Sequence, residues 1–95
     1  MSQKFLTYGE ALLALKQGEI LARANWIPPH NFIFLVLGST FQVNRPPLLG
    51  IYPENFTVTY RSHIDMSYSD GTVGPWLPTT DDQLAEDWMV LDSHY

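Results

Sequence analysis

The chain has 95 residues, no cysteine and a formal net charge of −5, with 45% hydrophobic and 14% aromatic side chains. That length makes one domain with a thin but adequate core, the apolar fraction excludes a disordered chain, and the missing cysteines exclude disulfides and thiolate metal sites. Five basic residues against ten acidic ones argue against nucleic-acid polymers as partners, because neutralising a row of phosphates takes a basic face.

A small phosphorylated ligand needs fewer charges and stays open. No apolar run approaches the ~20 residues of a membrane helix. The start, MSQKFLTYGEALLAL, lacks a basic, apolar and small-residue secretory pattern, which places the expected location in the cytoplasm. The expected fold is α+β: one small domain, residues 1–95, in which an N-terminal helix and a short C-terminal helix pack on an antiparallel β-sheet.

Thr7-Tyr8-Gly9-Glu10 fits a capping box and predicts a helix start. Ala11, Leu12 and Leu15 then share one face, and Gly18 supplies a left-handed stop. Ile20 to Ala24 reads as a short strand leading past Arg23 and Asn25 to Trp26, beside an exposed turn over Ile27-Pro28-Pro29-His30-Asn31. Trp26 is either a ligand-touching aromatic at a strand exit or a core tryptophan. Phe32 to Leu37 reads as a central strand buried on both faces, and Gly38-Ser39 as a turn into a hairpin partner over Thr40 to Val43.

Residues 44–55, NRPPLLGIYPEN, form a long ordered loop too apolar to stand in water. Leu48, Leu49, Ile51 and Tyr52 either fold back over the sheet or bury against another subunit; the second is favoured, since a small domain has little spare core. Phe56 to Tyr60 alternates as a half-buried strand. Asp70-Gly71 is a two-residue, type I′ turn signal pairing His63–Ser69 with Thr72–Leu77. Thr79-Thr80 caps a short helix ending near Asp87, with Trp76 and Trp88 at its two ends and room for a pocket beside it. Trp88 to Leu91 closes the sheet, and 92–95 is a tail.

Catalytic signals are weak. His63 and Asp65 point to one face of a strand, yet a zinc site wants three or four ligands, and His30 and His94 carry no ligand spacing. Ser39, Ser62 and Ser67 lie in no nucleophile elbow, and Gly71 and Gly74 are hairpin glycines rather than a phosphate loop. Asp81 and Asp82 first read as complements to the helix dipole; an Asp82 that touched a ligand would accept from ribose hydroxyls or a base amino group. Phosphates would instead meet Arg45, Arg61 or backbone amides. No metal, cofactor or catalytic residue is expected.

The segments YGEALLALKQG, ARANW, FLVLGSTFQVNRPPLLGIYPE, HIDMSYSDGTVGPWLP and DDQLAEDW, in this order over residues 7–91, resemble the second family of Thoeris anti-defence proteins, small phage proteins. The resemblance implies a homo-oligomeric sponge, typically a homotetramer. Such a sponge binds and sequesters a cyclic ADP-ribose isomer (glycocyclic ADP-ribose) made by a TIR-domain immune enzyme in the host cytoplasm, without cleaving it. Some members are similarly implied to hold cyclic di- or trinucleotides. By motif match Trp26 carries over as an adenine or ribose contact, and Asp82 falls beside the family pocket. Chemistry and placement add Phe32, Asn44, Arg45, Tyr60, His63 and Trp76. After Trp26 the sequence departs from the family pattern, with IPPHN in place of a Gly-containing polar turn. Two alternatives remain: a protein-protein inhibitor acting through Leu48 to Tyr52, and a hydrolase of the signal using His63 with Asp65 or Asp82.

Overall fold

The computed structural model describes residues 4–92. Helix α1 (Tyr8–Lys16) begins at the expected capping box: the Thr7 hydroxyl accepts from the Glu10 amide at 3.2 Å, and the Glu10 carboxylate accepts from the Thr7 amide at 2.9 Å. It ends before Gly18, whose φ of +90° only glycine adopts freely. Strands β1 (Ile20–Arg23), β2 (Phe32–Val36), β5 (His63–Ser67), β6 (Val73–Pro75) and β7 (Trp88–Leu91) form one antiparallel sheet in the order β6-β5-β2-β1-β7. A 3-10 turn over Ala24–Trp26 leaves β1, and helix α2 (Thr80–Leu84) precedes β7. Leu6 exchanges backbone hydrogen bonds with Trp88 of β7, which ties the segment ahead of α1 to the sheet edge.

Helix α1 covers one face of this sheet. Period-two alternation puts Leu21, Ile33 and Met66 on that face in direct register, Leu21 opposite Ile33 and Ile33 opposite Met66. With Ala11, Ala14, Leu15 and Trp88 they form the buried core. The other face carries Phe32, Phe34 and Val36 from β2, opposite Ser67, Asp65 and His63 of β5.

Strands β3 (Ser39–Gln42) and β4 (Thr57–Tyr60) pair only with each other, as a two-stranded ribbon. The expected hairpin of residues 40–43 on β2 therefore does not form, because both edges of β2 are already taken, by β1 and by β5 along its whole length. Gly38 acts as a crossing point. A Cβ there would collide with the Tyr60 carbonyl oxygen and lie 2.9 Å from the Ser62 amide nitrogen, while the Gly38 amide donates to Ser62 Oγ at 3.0 Å. Gly38→Ala should loosen the base of the ribbon at a cost of about 2 kcal/mol, the usual range for overpacking. Amide exchange should speed up at residues 39–42 and 57–60 while β1, β2 and β7 keep their protection.

Other sequence expectations need correction. The run from Phe32 to Leu37 is not buried on both faces throughout: Phe32 and Ile33 are buried, Phe34 to Val36 are half-buried, and Leu37, past the end of β2, is exposed. Strand β4 is not half-buried: Val58 alone is partly covered, and Phe56 and Tyr60 are exposed. Helix α2 stops at Leu84 rather than near Asp87, since Ala85 already has extended backbone. The turn at Asp70-Gly71 is a three-residue connection. Gly71 donates to the Tyr68 carbonyl at 3.0 Å, Tyr68 donates to the Thr72 carbonyl at 2.8 Å, and of the central residues only Gly71, at φ +91°, is left-handed. Asp70 instead accepts from the Thr72 amide and hydroxyl, at 3.0 and 2.7 Å, which favours a right-handed Asp70. Gly71→Ala should cost about 1 kcal/mol, measurable as a lower denaturation midpoint. Most of the anticipated tail, 93–95, lies outside the described residues.

Candidate functional site

The three tryptophans converge on the helix-covered side. Trp26 lies edge-on to Trp88 at 5.2 Å and to Trp76 at 6.0 Å, Trp76 lies edge-on to Trp88 at 6.0 Å, and Tyr8 of α1 closes the group at 5.7 Å from Trp88. Trp88 is fully buried, whereas Trp26 and Trp76 are half-buried, so part of each indole reaches solvent. Local sequence puts them there. Trp26 ends the 3-10 turn that leaves β1, and Trp76 follows β6, its amide donating to the Ile64 carbonyl at 2.9 Å.

An ionic clamp fixes this end of the molecule. Arg23 donates from Nη1 to Asp82 Oδ1 and from Nε to Asp87 Oδ1, each at 3.0 Å. The second Asp82 oxygen accepts from the Thr79 amide at 2.9 Å while the Asp82 amide donates to Thr79 Oγ1 at 3.1 Å, a capping box built on aspartate. Trp88 Nε1 donates to the Asp82 carbonyl at 2.9 Å. One buried residue thus joins β1, the start of α2 and the central indole.

Burial alone would push the Asp82 carboxyl up, but the Thr79 amide, Arg23 and the Thr79 hydroxyl together outweigh it and hold the group below the ordinary aspartate range. Hydrogen bonding to Asp87 first, and to Asp82 after it, holds the Arg23 guanidinium more firmly protonated. Burial, and then the Asp82 charge, raises the Tyr8 phenol. At neutral pH the cluster therefore offers aromatic surface and a compensated ion group; Asp82 is ionised and spoken for.

The eight candidate residues do not share one place. Trp26, Trp76 and Asp82 come together in the cluster just described, Asp82 as its structural anchor. Phe32 and His63 lie on the opposite face of the sheet, Phe32 with the His30 and Phe34 rings at 6.2 and 6.1 Å. His63 faces Asp65, Nε2 to Oδ1 at 3.5 Å, and its Nδ1 lies 3.2 Å from the Arg61 carbonyl. Asn44 and Arg45 sit beyond β3 at the far end of the ribbon, where Val43 and Phe56 still pair. Tyr60 sits at the ribbon base, edge-on to Phe41 at 5.4 Å.

A cleft of about 550 Å³ opens at that base, lined by Leu37, Gly38, Ser39, Thr40, Thr59, Tyr60, Arg61 and Ser62. It lies away from the α2 segment beside which sequence reasoning expected a pocket. Sequence reasoning also passed over Arg23. Its two partners lie 59 and 64 positions away, and only the acidic spacing Asp82/Asp87 after a lone arginine in ARANW hinted at them. Among the described residues no three His, Asp or Glu side chains gather as a metal site, and no helix is long and apolar enough to cross a membrane.

A model of the Thoeris anti-defense 2-like domain matches residues 6–91. The chain belongs to that family. Thoeris anti-defense 2 of Bacillus phage SP01 is 29% identical over 96 residues, which cover 90% of this chain and 94% of that protein. At its coarsest, membership of the Thoeris anti-defense 2-like family assigns the protein to phage anti-defence. The matched span begins at Leu6, just ahead of α1, and ends at Leu91, the last residue of β7, so it takes in the tryptophan cluster, the clamp and the ribbon together.

Proposed function

We propose that the protein is an oligomeric sponge that binds and sequesters a cyclic ADP-ribose isomer, glycocyclic ADP-ribose, without cleaving it, and so starves the effector of a TIR-based defence. The observation that carries this reading is the half-exposed Trp26–Trp76 pair, rigidly backed by buried Trp88, in a chain of this family. A nucleotide base needs a flat apolar surface held in place, and indoles provide the largest available.

The state of the carboxylates supports holding over turnover. Asp82 and Asp87 are committed to Arg23, and a carboxyl held below its ordinary range is a poor proton donor at neutral pH. Exposed apolar side chains on the ribbon and its loop, Ile51 at 69% and Phe56 at 47%, support assembly into a homo-oligomer, a tetramer as in the family reading. Leu48 and Leu49 are half-buried within the chain, folded over by Leu49 N to Arg45 O and Tyr52 N to Leu48 O bonds at 2.8 Å.

Calorimetric titration with glycocyclic ADP-ribose tests the proposal. Saturable, tight binding is the expected result. No binding, with cyclic di- and trinucleotides also failing, would overturn it and favour a direct protein blocker acting through exposed Ile51, for which co-purification with a host protein is the readout.

A further inference from the structure

The structure assigns a phosphate site to the cleft at the base of the ribbon, where we infer that the pyrophosphate of the sequestered nucleotide is held. The identity of the phosphate carrier rests on the sequestration reading above; the anion chemistry of the cleft does not. Its lining has no carboxylate, and five of its eight residues carry hydroxyls beside Arg61. The ion pairs among the described residues are Arg23–Asp82, Arg23–Asp87 and His63–Asp65, which leaves Arg61 without an acidic partner there. An uncompensated guanidinium beside several O–H donors is what a phosphate group recognises.

Some of these hydroxyls keep a hydrogen to donate. Ser62 Oγ accepts from the Gly38 amide, so its own hydrogen is free to point into the cleft. Thr40 and Thr59 share one hydrogen bond at 2.8 Å, which uses one hydroxyl hydrogen and leaves the other. Gly38 lets the chain entering β3 pass close to the Tyr60–Ser62 backbone, which brings Arg61 and Ser62 to the start of β3; by register the Thr40–Thr59 pair takes one face of the ribbon and the Ser39–Tyr60 pair the other. Tyr60, its ring braced edge-on by Phe41, supplies a flat wall on the Ser39 face of the ribbon.

Charge distribution agrees. Between residues 37 and 62 the chain carries Arg45 and Arg61 against Glu54 alone, in a protein whose net charge is −5. The acidic remainder repels an anion only weakly at this distance, since physiological salt screens charge over about 8 Å. The volume of about 550 Å³ suits a nucleotide-sized molecule rather than a bare ion.

The test is titration of wild type, Arg61→Ala and Arg61→Lys with inorganic pyrophosphate, followed by ³¹P spectroscopy, and with glycocyclic ADP-ribose, followed by calorimetry. Far-UV circular dichroism checks the fold of each variant. Arg61→Ala should weaken both ligands by at least about tenfold, the scale of a lost charge-assisted contact, with Arg61→Lys in between. Thr59→Val, which keeps shape and removes a donor, should weaken pyrophosphate by a smaller factor. Arg61→Ala binding pyrophosphate as wild type does would overturn the inference. If the variant also holds the cyclic nucleotide normally, sequestration stands without this site. If pyrophosphate binding depends on Arg61 while the cyclic nucleotide fails to bind wild type, the phosphate site stands and the sequestration reading falls.

Discussion

Asp82→Ala lowers the stability of the folded protein by about 3 kcal/mol, the scale of removing one partner from a buried ion pair. Two losses coincide at this one residue. Arg23 keeps only Asp87, which leaves a part-buried guanidinium partly unpaired, and the Thr79 amide loses its acceptor at the start of α2. Asp82→Asn, which retains an acceptor, should fall between the two. The effect carries a pH signature. The folded-state pKa of Asp82 is depressed, so its contribution is fully present above the unfolded value of about 3.9 and is lost as pH falls through the lower folded value. Urea denaturation between pH 3 and 7 should therefore show wild type and Asp82→Asn converging at the acid end. Parallel curves across that range would show that the charge of Asp82 contributes nothing.

Trp26→Ala should reduce affinity for the cyclic ADP-ribose isomer about a hundredfold, the loss expected when a central aromatic anchor of a binding site is truncated. Trp26 is half-buried and meets Trp76 and Trp88 edge-on, so truncation also costs some packing. Trp26→Phe separates the two effects: it keeps a ring against the neighbouring indoles and should recover most of the stability with part of the affinity. A Trp26→Ala protein that folds and binds as wild type does would move the ligand away from the tryptophan cluster altogether.

Local signals in the sequence were the ones that proved legible. Thr7 with Glu10, Gly18, Thr79 at the start of α2, and the run Trp88–Leu91 are read from a few neighbouring residues, and each element lies where those residues put it. Long-range pairing was not legible in this way. Nothing in Thr40 to Val43 says that both edges of β2 are occupied, so a hairpin that is locally reasonable gives way to a separate ribbon. The Asp-Gly pair correctly marked a reversal, but the Asp70 side chain bonding to Thr72 chose a three-residue connection over a type I′ turn.

The candidate site was legible in the same partial sense. Trp26 and Trp76 stand out because large aromatics beside loops are conspicuous in sequence, and the fold brings them together across 50 positions. Phe32 is equally conspicuous, but period-two alternation turns it to the other face from Ile33. Arg23 is an ordinary strand residue until Asp82 and Asp87 are brought to it, and the Ser39–Ser62 cleft depends on a close backbone approach at Gly38 that no local pattern announces.

A protein that holds a nucleotide signal without changing it should give the bound molecule back intact. Purified protein is saturated with glycocyclic ADP-ribose, freed of excess ligand, heated to denaturation, and the released material is separated by chromatography and weighed by mass spectrometry. Stoichiometric release of unaltered ligand is the predicted result. Release of a linear or hydrolysed product would contradict sequestration and make the protein an enzyme acting on the signal.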